Sequence, residues 1–288
     1  MRAIPSFSSR PDLPIAAVIG AGGVGMTIAQ RLGQTHRVII ASLGEAELAR
    51  AHERLHELGV VCATIPCDIA DAEAVARLGE EVAKLGPVRS LAHVAALSAV
   101  NADWRSILKV NLVGAALIEK TLLPLMAEGG AGVFVSSSGG HRAAPAPEIV
   151  AILDTPLEGD LPARLEAAMS EALISGRAYS LSKWALNRMV RRKAAAWGRR
   201  KARIVSVSPG IIDTEMGAAA DAEAASGKSK SAMRAVLPLG RDGAMSEIAD
   251  AVEFLTSRRA SYISGTDLLI DGGLVAAMHF KNAASETN

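Results

Sequence analysis

The chain has 288 residues, half of them hydrophobic, 21% charged and only 3% aromatic, with a formal net charge of +1. Near-neutral charge argues against a nucleic-acid binder or a polybasic membrane protein, and no apolar run approaches the roughly 18 residues of a membrane span. Cys62 and Cys67 make neither a disulfide framework nor a metal-site spacing, and read as small buried hydrophobes.

The first residues mix Arg2 and Arg10 with Pro5, Pro11 and serines, without an apolar h-region. Residues 1–13 are therefore expected to be a tail, not a secretory signal, and the location cytoplasmic. Aliphatic runs then alternate with helical periodicity. Strands are predicted at Ile15 to Ile19, Arg37 to Ala41, Val60 to Pro66, Ser90 to Val94, Gly132 to Ser136, Arg203 to Val207 and Asp267 to Ile270. Helices are predicted at Val24 to Gly33, Glu45 to Leu58, Asp71 to Leu85, Trp104 to Met126, Tyr179 to Trp197 and Ser246 to Leu255. Strands with near-continuous aliphatic character are buried on both faces. The alternation therefore predicts a single Rossmann-like α/β domain over 14–280, a doubly wound parallel sheet with helices on both faces. Two long connections interrupt it. The segment 141–177 holds prolines and then a helical pattern around Ala163 to Ile174; the segment 214–240 is rich in Ala, Ser and Gly. Such connections are usually functional or disordered, so one is read as an insertion beside a site and the other as a substrate lid. Residues 281–288 read as a C-terminal tail.

The first strand runs into Gly20-Ala21-Gly22-Gly23-Val24-Gly25, and a helix follows. Glycines allow the tight turn and a close backbone approach, and a helix N-terminus favours a pyrophosphate. Gly20, Gly22, Gly23, Val24 and Gly25 are thus candidate dinucleotide positions. The acidic residue that would hold an adenosine ribose at the end of the second strand is missing: Ser42 and then Leu43 stand there. No carboxylate repels a ribose 2′-phosphate and no local cation binds one, so NAD versus NADP stays open. Asp68, with Ile69, follows the third strand and is placed either to bond adenine or to cap a turn.

In Tyr179-Ser180-Leu181-Ser182-Lys183, the phenol and the ammonium are four residues apart and share a helix face. A nearby cation favours phenolate, so Lys183 is expected to lower the Tyr179 pKa. Taken with the glycine loop, Asn111-Leu112-Val113-Gly114, Ser136-Ser137-Ser138-Gly139-Gly140, Ser208-Pro209-Gly210 with Thr214, Ile263-Ser264-Gly265 and Asp271-Gly272-Gly273, the chain resembles the short-chain dehydrogenase/reductase family. The likeness runs over nearly all of Pro14 to Gly273.

The resemblance implies NAD or NADP as cofactor and a small-molecule carbonyl or alcohol as substrate. It implies that Tyr179 transfers a proton at the substrate oxygen and that Lys183 holds the nicotinamide ribose. Asn111 would anchor a water in the proton path, and Pro209, Gly210, Ile212 and Thr214 would cradle the nicotinamide. A serine would hydrogen-bond the substrate oxygen; the motif selects Ser137, with Ser138 the runner-up. It also implies a homodimer or homotetramer built on the long helices.

The sequence departs from the family pattern in three places. The glycine loop is one residue short. The stretch after the fourth strand reads His93-Val94-Ala95-Ala96, where Ala95 and Ala96 still permit close cofactor approach. The interval from Ser137 to Tyr179 is long. A similar insertion, and a stretch like Arg192 to Gly198, occurs in bacterial hydroxysteroid dehydrogenase/carbonyl reductases, which implies a lipophilic or steroid-like substrate. The alternatives are a 3-oxoacyl thioester (acyl-carrier protein) reductase, with Arg191, Arg192, Lys193, Arg199, Arg200, Lys201 and Arg203 meeting an acidic carrier, and a non-catalytic NAD(P)-binding regulator. His52-Glu53-Arg54-Leu55-His56 matches a zinc motif but lies on an outer helix without a third ligand, so no metal is expected.

Overall fold

Aliphatic runs form seven parallel strands: β1 (Ile15–Ile19), β2 (Arg37–Ser42), β3 (Cys62–Pro66), β4 (Val88–His93), β5 (Met126–Val135), β6 (Arg203–Pro209) and β7 (Thr266–Ile270). They make one sheet in the order β3-β2-β1-β4-β5-β6-β7. The computed structural model describes residues 7, 10–213 and 231–285. Ten α-helices are named along it: α1 (Gly23–Leu32), α2 (Glu45–Glu57), α3 (Ala72–Leu85), α4 (Trp104–Leu108), α5 (Ala115–Leu122), α6 (Pro147–Leu153), α7 (Leu161–Ala168), α8 (Ser175–Arg199), α9 (Met245–Thr256) and α10 (Leu274–Ser285). Among the described residues, no helix is long and apolar enough to cross a membrane.

Strand side chains alternate between faces, and β1 shows the consequence. Ile15, Ala17 and Ile19 enter the core that holds Leu78 of α3, Ile118 of α5 and Trp197 of α8. Ala16 and Val18 enter the opposite core, with Ile28 of α1, Leu55 of α2 and Val252 of α9. Both faces are covered, as the aliphatic strands require. Asp71 caps α3 by accepting from the Glu73 amide at 2.9 Å.

The chain order reverses between β1 and β4, so a crevice opens at their C-terminal ends, the usual ligand position of an open α/β sheet. The register sets Ile19 beside Ala41 and His93. The loops after β1, β2 and β4 therefore start side by side.

Three segments differ from the sequence expectation. The helix predicted to run to Met126 ends earlier: a 3-10 turn, Leu123–Leu125, breaks it, and Met126 pairs with Val88 at the start of β5. The insertion is more structured than its prolines indicate. Pro147 and Pro162 sit in the first turns of α6 and α7, where a missing N–H costs nothing. α7 stops at Ala168, short of the predicted Ile174, because Met169 is extended. Ile149, Leu153, Leu161, Leu165 and Leu173 form a third core with Leu108, Leu112 and Leu181. Finally, α10 occupies Leu274–Ser285, so helix extends into the segment read as a tail.

Candidate active site

β1 delivers the chain to Gly20, whose φ of +109° is left-handed and whose N–H donates to the Ala41 carbonyl at 2.7 Å. The exit of β4 crosses directly above it, with Ala95 donating to the Ile19 carbonyl at 2.8 Å. A Cβ at Gly20 would lie 2.8 Å from the Ala95 nitrogen, and one at Gly25 would collide with the Gly20 carbonyl oxygen. Both positions therefore require glycine for backbone approach. Gly22 is the N-cap of α1 and supplies no side-chain partner. The amides of Gly23, Val24 and Gly25, at the positive end of α1, are left for an external acceptor. That donor set suits a phosphate. The loop being one residue short does not disturb it.

At the end of β2, Ser42 donates its hydroxyl to Glu47 Oε2 at 2.6 Å. This corrects the expectation that no carboxylate lies there. Glu47 is supplied by the first turn of α2 and not by the strand. Its other oxygen, Oε1, is 3.9 Å from where a Cβ on Gly22 would be. The signal was present as an acid just inside the helix that follows Gly44, but the fold-back to Ser42 is tertiary. Asp68 is exposed, and one of its oxygens accepts from the Ala70 amide at 2.9 Å, so the turn role is real and Oδ2 is left over. Ile69 is buried and lies against Gly114, where a Cβ would sit 2.9 Å from the Ile69 side chain.

The proposed catalytic groups converge from three elements. Between α4 and α5, residues Lys109–Gly114 form a π-helical segment, a distortion frequent at functional sites. It contains Asn111, which is 1% exposed. Asn111 Oδ1 accepts from the Leu97 amide at 2.7 Å and its Nδ2 donates to the Leu97 carbonyl at 2.9 Å. The side chain thus braces the loop after β4. Ser137 follows β5 in extended backbone and accepts from the Gly139 amide at 3.1 Å; its Oγ and the Tyr179 ring edge lie 3.4 and 3.5 Å from where a Cβ on Gly139 would be. Ser138 instead starts the following 3-10 turn, and Ser136 donates to the Lys183 carbonyl at 3.0 Å. Of the adjacent serines, Ser137 is the one that lies with the Tyr179 ring around Gly139. Lys183 is buried, donates to the Val135 carbonyl at 3.0 Å, and lies 5.8 Å from the Tyr179 ring centre.

Burial pushes the Tyr179 phenol above its ordinary pKa, opposed by the Ser137 hydrogen bond and the Arg142 charge. The expected counterweight, Lys183, is itself pushed down to about 8 by burial. The phenol is therefore held protonated, and the groups easing its ionisation are Ser137 and Arg142. Burial, and then the Lys183 charge, also push His93 down to about 3, and its ring is tilted on Phe134 at 5.4 Å. Lys183 makes stability pH-dependent. Below about pH 8 the folded chain buries a cation; between about 8 and 10.5 only the unfolded chain holds that proton, so stability rises with pH. Urea titrations at pH 7 and 10 should show a gain on the order of 3 kcal/mol that Lys183→Met lacks. Equal slopes in the two proteins would contradict the burial argument.

Across the crevice, Pro209 ends β6, and Gly210 packs so closely on Asp271 that a Cβ would sit 2.7 Å from its Cα. Ile212 bridges to Gly243. Thr214 and positions 214–230 of the predicted lid lie outside the described residues. Most of the basic run is engaged internally. Arg192 pairs with Asp154 at 2.8 Å, Lys193 with Glu119 at 2.7 Å and Lys201 with Glu128 at 2.9 Å, while Arg200 and Arg203 donate to main-chain carbonyls. His52 of the zinc-like motif touches Cys62 Sγ at 3.5 Å, and burial pushes both thiols, Cys62 and Cys67, up to about 11. His141 pairs with Asp267 at 2.7 Å.

A cavity of about 330 Å³ lies between the insertion and α8, beside Ile149, Met169, Arg177 and Leu181. Arg177 and Leu181 are one turn apart and Tyr179 falls midway, so the phenol points to another helix face. That cavity belongs to the insertion.

The chain is similar to known proteins. A family profile described as "short chain dehydrogenase" matches residues 14–148, and one described as "Enoyl-(Acyl carrier protein) reductase" matches residues 167–275. The chain is 31% identical over 262 residues to a short-chain dehydrogenase/reductase of Alternaria brassicicola, covering 90% of this chain and 94% of that one. It is 31% identical over 282 residues to a galactitol 2-dehydrogenase (L-tagatose-forming) of Cereibacter sphaeroides, covering 92% and 96%. Its fold superposes with a TM-score of 0.77 on the 3-alpha-hydroxysteroid dehydrogenase from Pseudomonas sp. B-0831 complexed with NADH, at 26% identity and covering 93% and 99%.

Proposed function

Because the chain belongs to the short-chain dehydrogenase/reductase family, we propose that it interconverts a ketone and a secondary alcohol on a lipophilic, steroid-like substrate, with Tyr179 transferring the proton. It is an NAD(P)-dependent oxidoreductase acting on CH–OH groups. A bound nicotinamide dinucleotide supplies or takes the hydride at the substrate carbon. The amides of Gly23 to Gly25 hold its pyrophosphate, Ala95 and Ala96 leave room beside it, Lys183 holds its nicotinamide ribose, and Pro209, Gly210 and Ile212 flank the nicotinamide.

The observation that carries the reading is that Ser137 and Tyr179 meet beside Gly139, with Lys183 5.8 Å from the Tyr179 ring centre. In ketone reduction, Ser137 and the Tyr179 hydroxyl both donate to the substrate oxygen, which stabilises negative charge as it develops. Tyr179 then releases its proton to that oxygen. Asn111, which holds the Leu97 loop, anchors a water in the proton path. The lipophilic substrate is supported by the likeness to the hydroxysteroid dehydrogenase. Internal pairing of the basic run counts against an acyl-carrier contact. A dimer or tetramer is part of the same proposal.

A substrate panel tests it. With reduced cofactor, cyclic and steroid ketones are expected to be reduced at least tenfold faster, by kcat/KM, than keto-sugars such as tagatose. A preference for keto-sugars would overturn the lipophilic assignment, and no oxidation of cofactor with any carbonyl would favour a non-catalytic regulator.

A further inference from the structure

The end of β2 and the glycine loop together form a feature that the general reaction does not use. Ser42 Oγ donates to Glu47 Oε2, which fixes the carboxylate and turns Oε1 toward Gly22. Glu47 is half-buried and, among the described residues, forms no ion pair. A dinucleotide with its pyrophosphate at the N-terminus of α1 sets its adenosine ribose between that loop and the end of β2.

We propose that Glu47, clamped by Ser42, selects a cofactor with a free ribose 2′-hydroxyl, NAD(H), against its 2′-phosphorylated counterpart, NADP(H); this rests on the oxidoreductase reading above. A 2′-hydroxyl donates a charge-assisted hydrogen bond to Oε1. A 2′-phosphate would bring two further negative charges to the same carboxylate. The positive end of α2 does not rescue the phosphate, because Glu45 and Glu47 both stand in its first turn. Among the described residues no cation pairs with Glu47: Leu43, next to Ser42, is 68% exposed, and the first basic residue of α2, Arg50, stands one turn further along. Glu47 thereby does from the helix what a strand-end acid would do.

Direct binding tests this without turnover. NADH and NADPH are titrated separately into the full chain by calorimetry and nicotinamide fluorescence, with 5′-AMP and 2′,5′-ADP as fragment probes. The native chain is expected to bind NADH roughly tenfold or more tightly than NADPH, in the range set by like charges a few ångströms apart near a surface. Glu47→Gln should narrow that ratio severalfold, chiefly by tighter NADPH binding, and Ser42→Ala should narrow it less. Equal or tighter NADPH binding by the native chain, or an unchanged ratio in Glu47→Gln, would overturn the role of Glu47 and leave the oxidoreductase reading intact. Binding of neither dinucleotide would overturn the oxidoreductase reading itself.

Discussion

Tyr179→Phe is expected to lower kcat by about 10³-fold, within the range that positioned acid–base groups contribute, while NADH affinity changes less than threefold. The ring is retained, so packing beside Gly139 and in the core beneath α4 and α8 survives. Only the hydroxyl is lost, and with it the proton. Because burial holds the phenol protonated, the native enzyme should reduce ketones with little pH dependence near neutrality. Alcohol oxidation, which needs the phenolate, should accelerate as pH rises. Stopped-flow measurement of the step that consumes cofactor separates this from product release. A variant retaining a tenth or more of native kcat would show that another group handles the proton.

The second large effect concerns stability. Trp197 is 0% exposed near the end of α8, and its indole covers Gly132 of β5, where a Cβ would run into the ring. Its Nε1 donates to Glu119 Oε1 at 3.0 Å, and Lys193 pairs with the other oxygen of that buried carboxylate at 2.7 Å. One side chain thus ties β5, α5 and α8 together. Trp197→Ala leaves a cavity, costing about 3–5 kcal/mol, and removes a hydrogen bond from a buried carboxylate, costing about 1–3 more. Against a total stability of roughly 5–15 kcal/mol, this loss removes about half or more of the margin that keeps the chain folded. Urea denaturation followed by far-UV circular dichroism checks it. A loss below about 1 kcal/mol would mean that Gly132 and Glu119 repack around the gap.

Much of this protein can be read from local sequence. Strand positions follow from runs such as Ala16-Ala17-Val18-Ile19, and the phenol–ammonium pair follows from a spacing of four on a helix, because both depend on backbone geometry over a few residues. The glycine loop is legible for the same reason: the strand before it and the helix after it are adjacent in the chain. The π segment around Asn111 was not legible, since an ordinary apolar helical pattern runs through Lys109 to Gly114. Nor was α7's early end, because the extended Met169 sits within an otherwise helical pattern.

The sequence by itself determined the fold class and marked the glycine loop and the Tyr179–Lys183 pair as the proposed site, each encoded in contiguous residues whose periodicity or conformational needs leave few alternatives. Only the tertiary structure showed that Ser137, and not Ser138, lies with the Tyr179 ring around Gly139, that Asn111 holds Leu97, that burial pushes the phenol's pKa up, and that Glu47 stands at the end of β2. Those outcomes depend on which side chains different elements bring together and how much water they exclude. No local pattern specifies either.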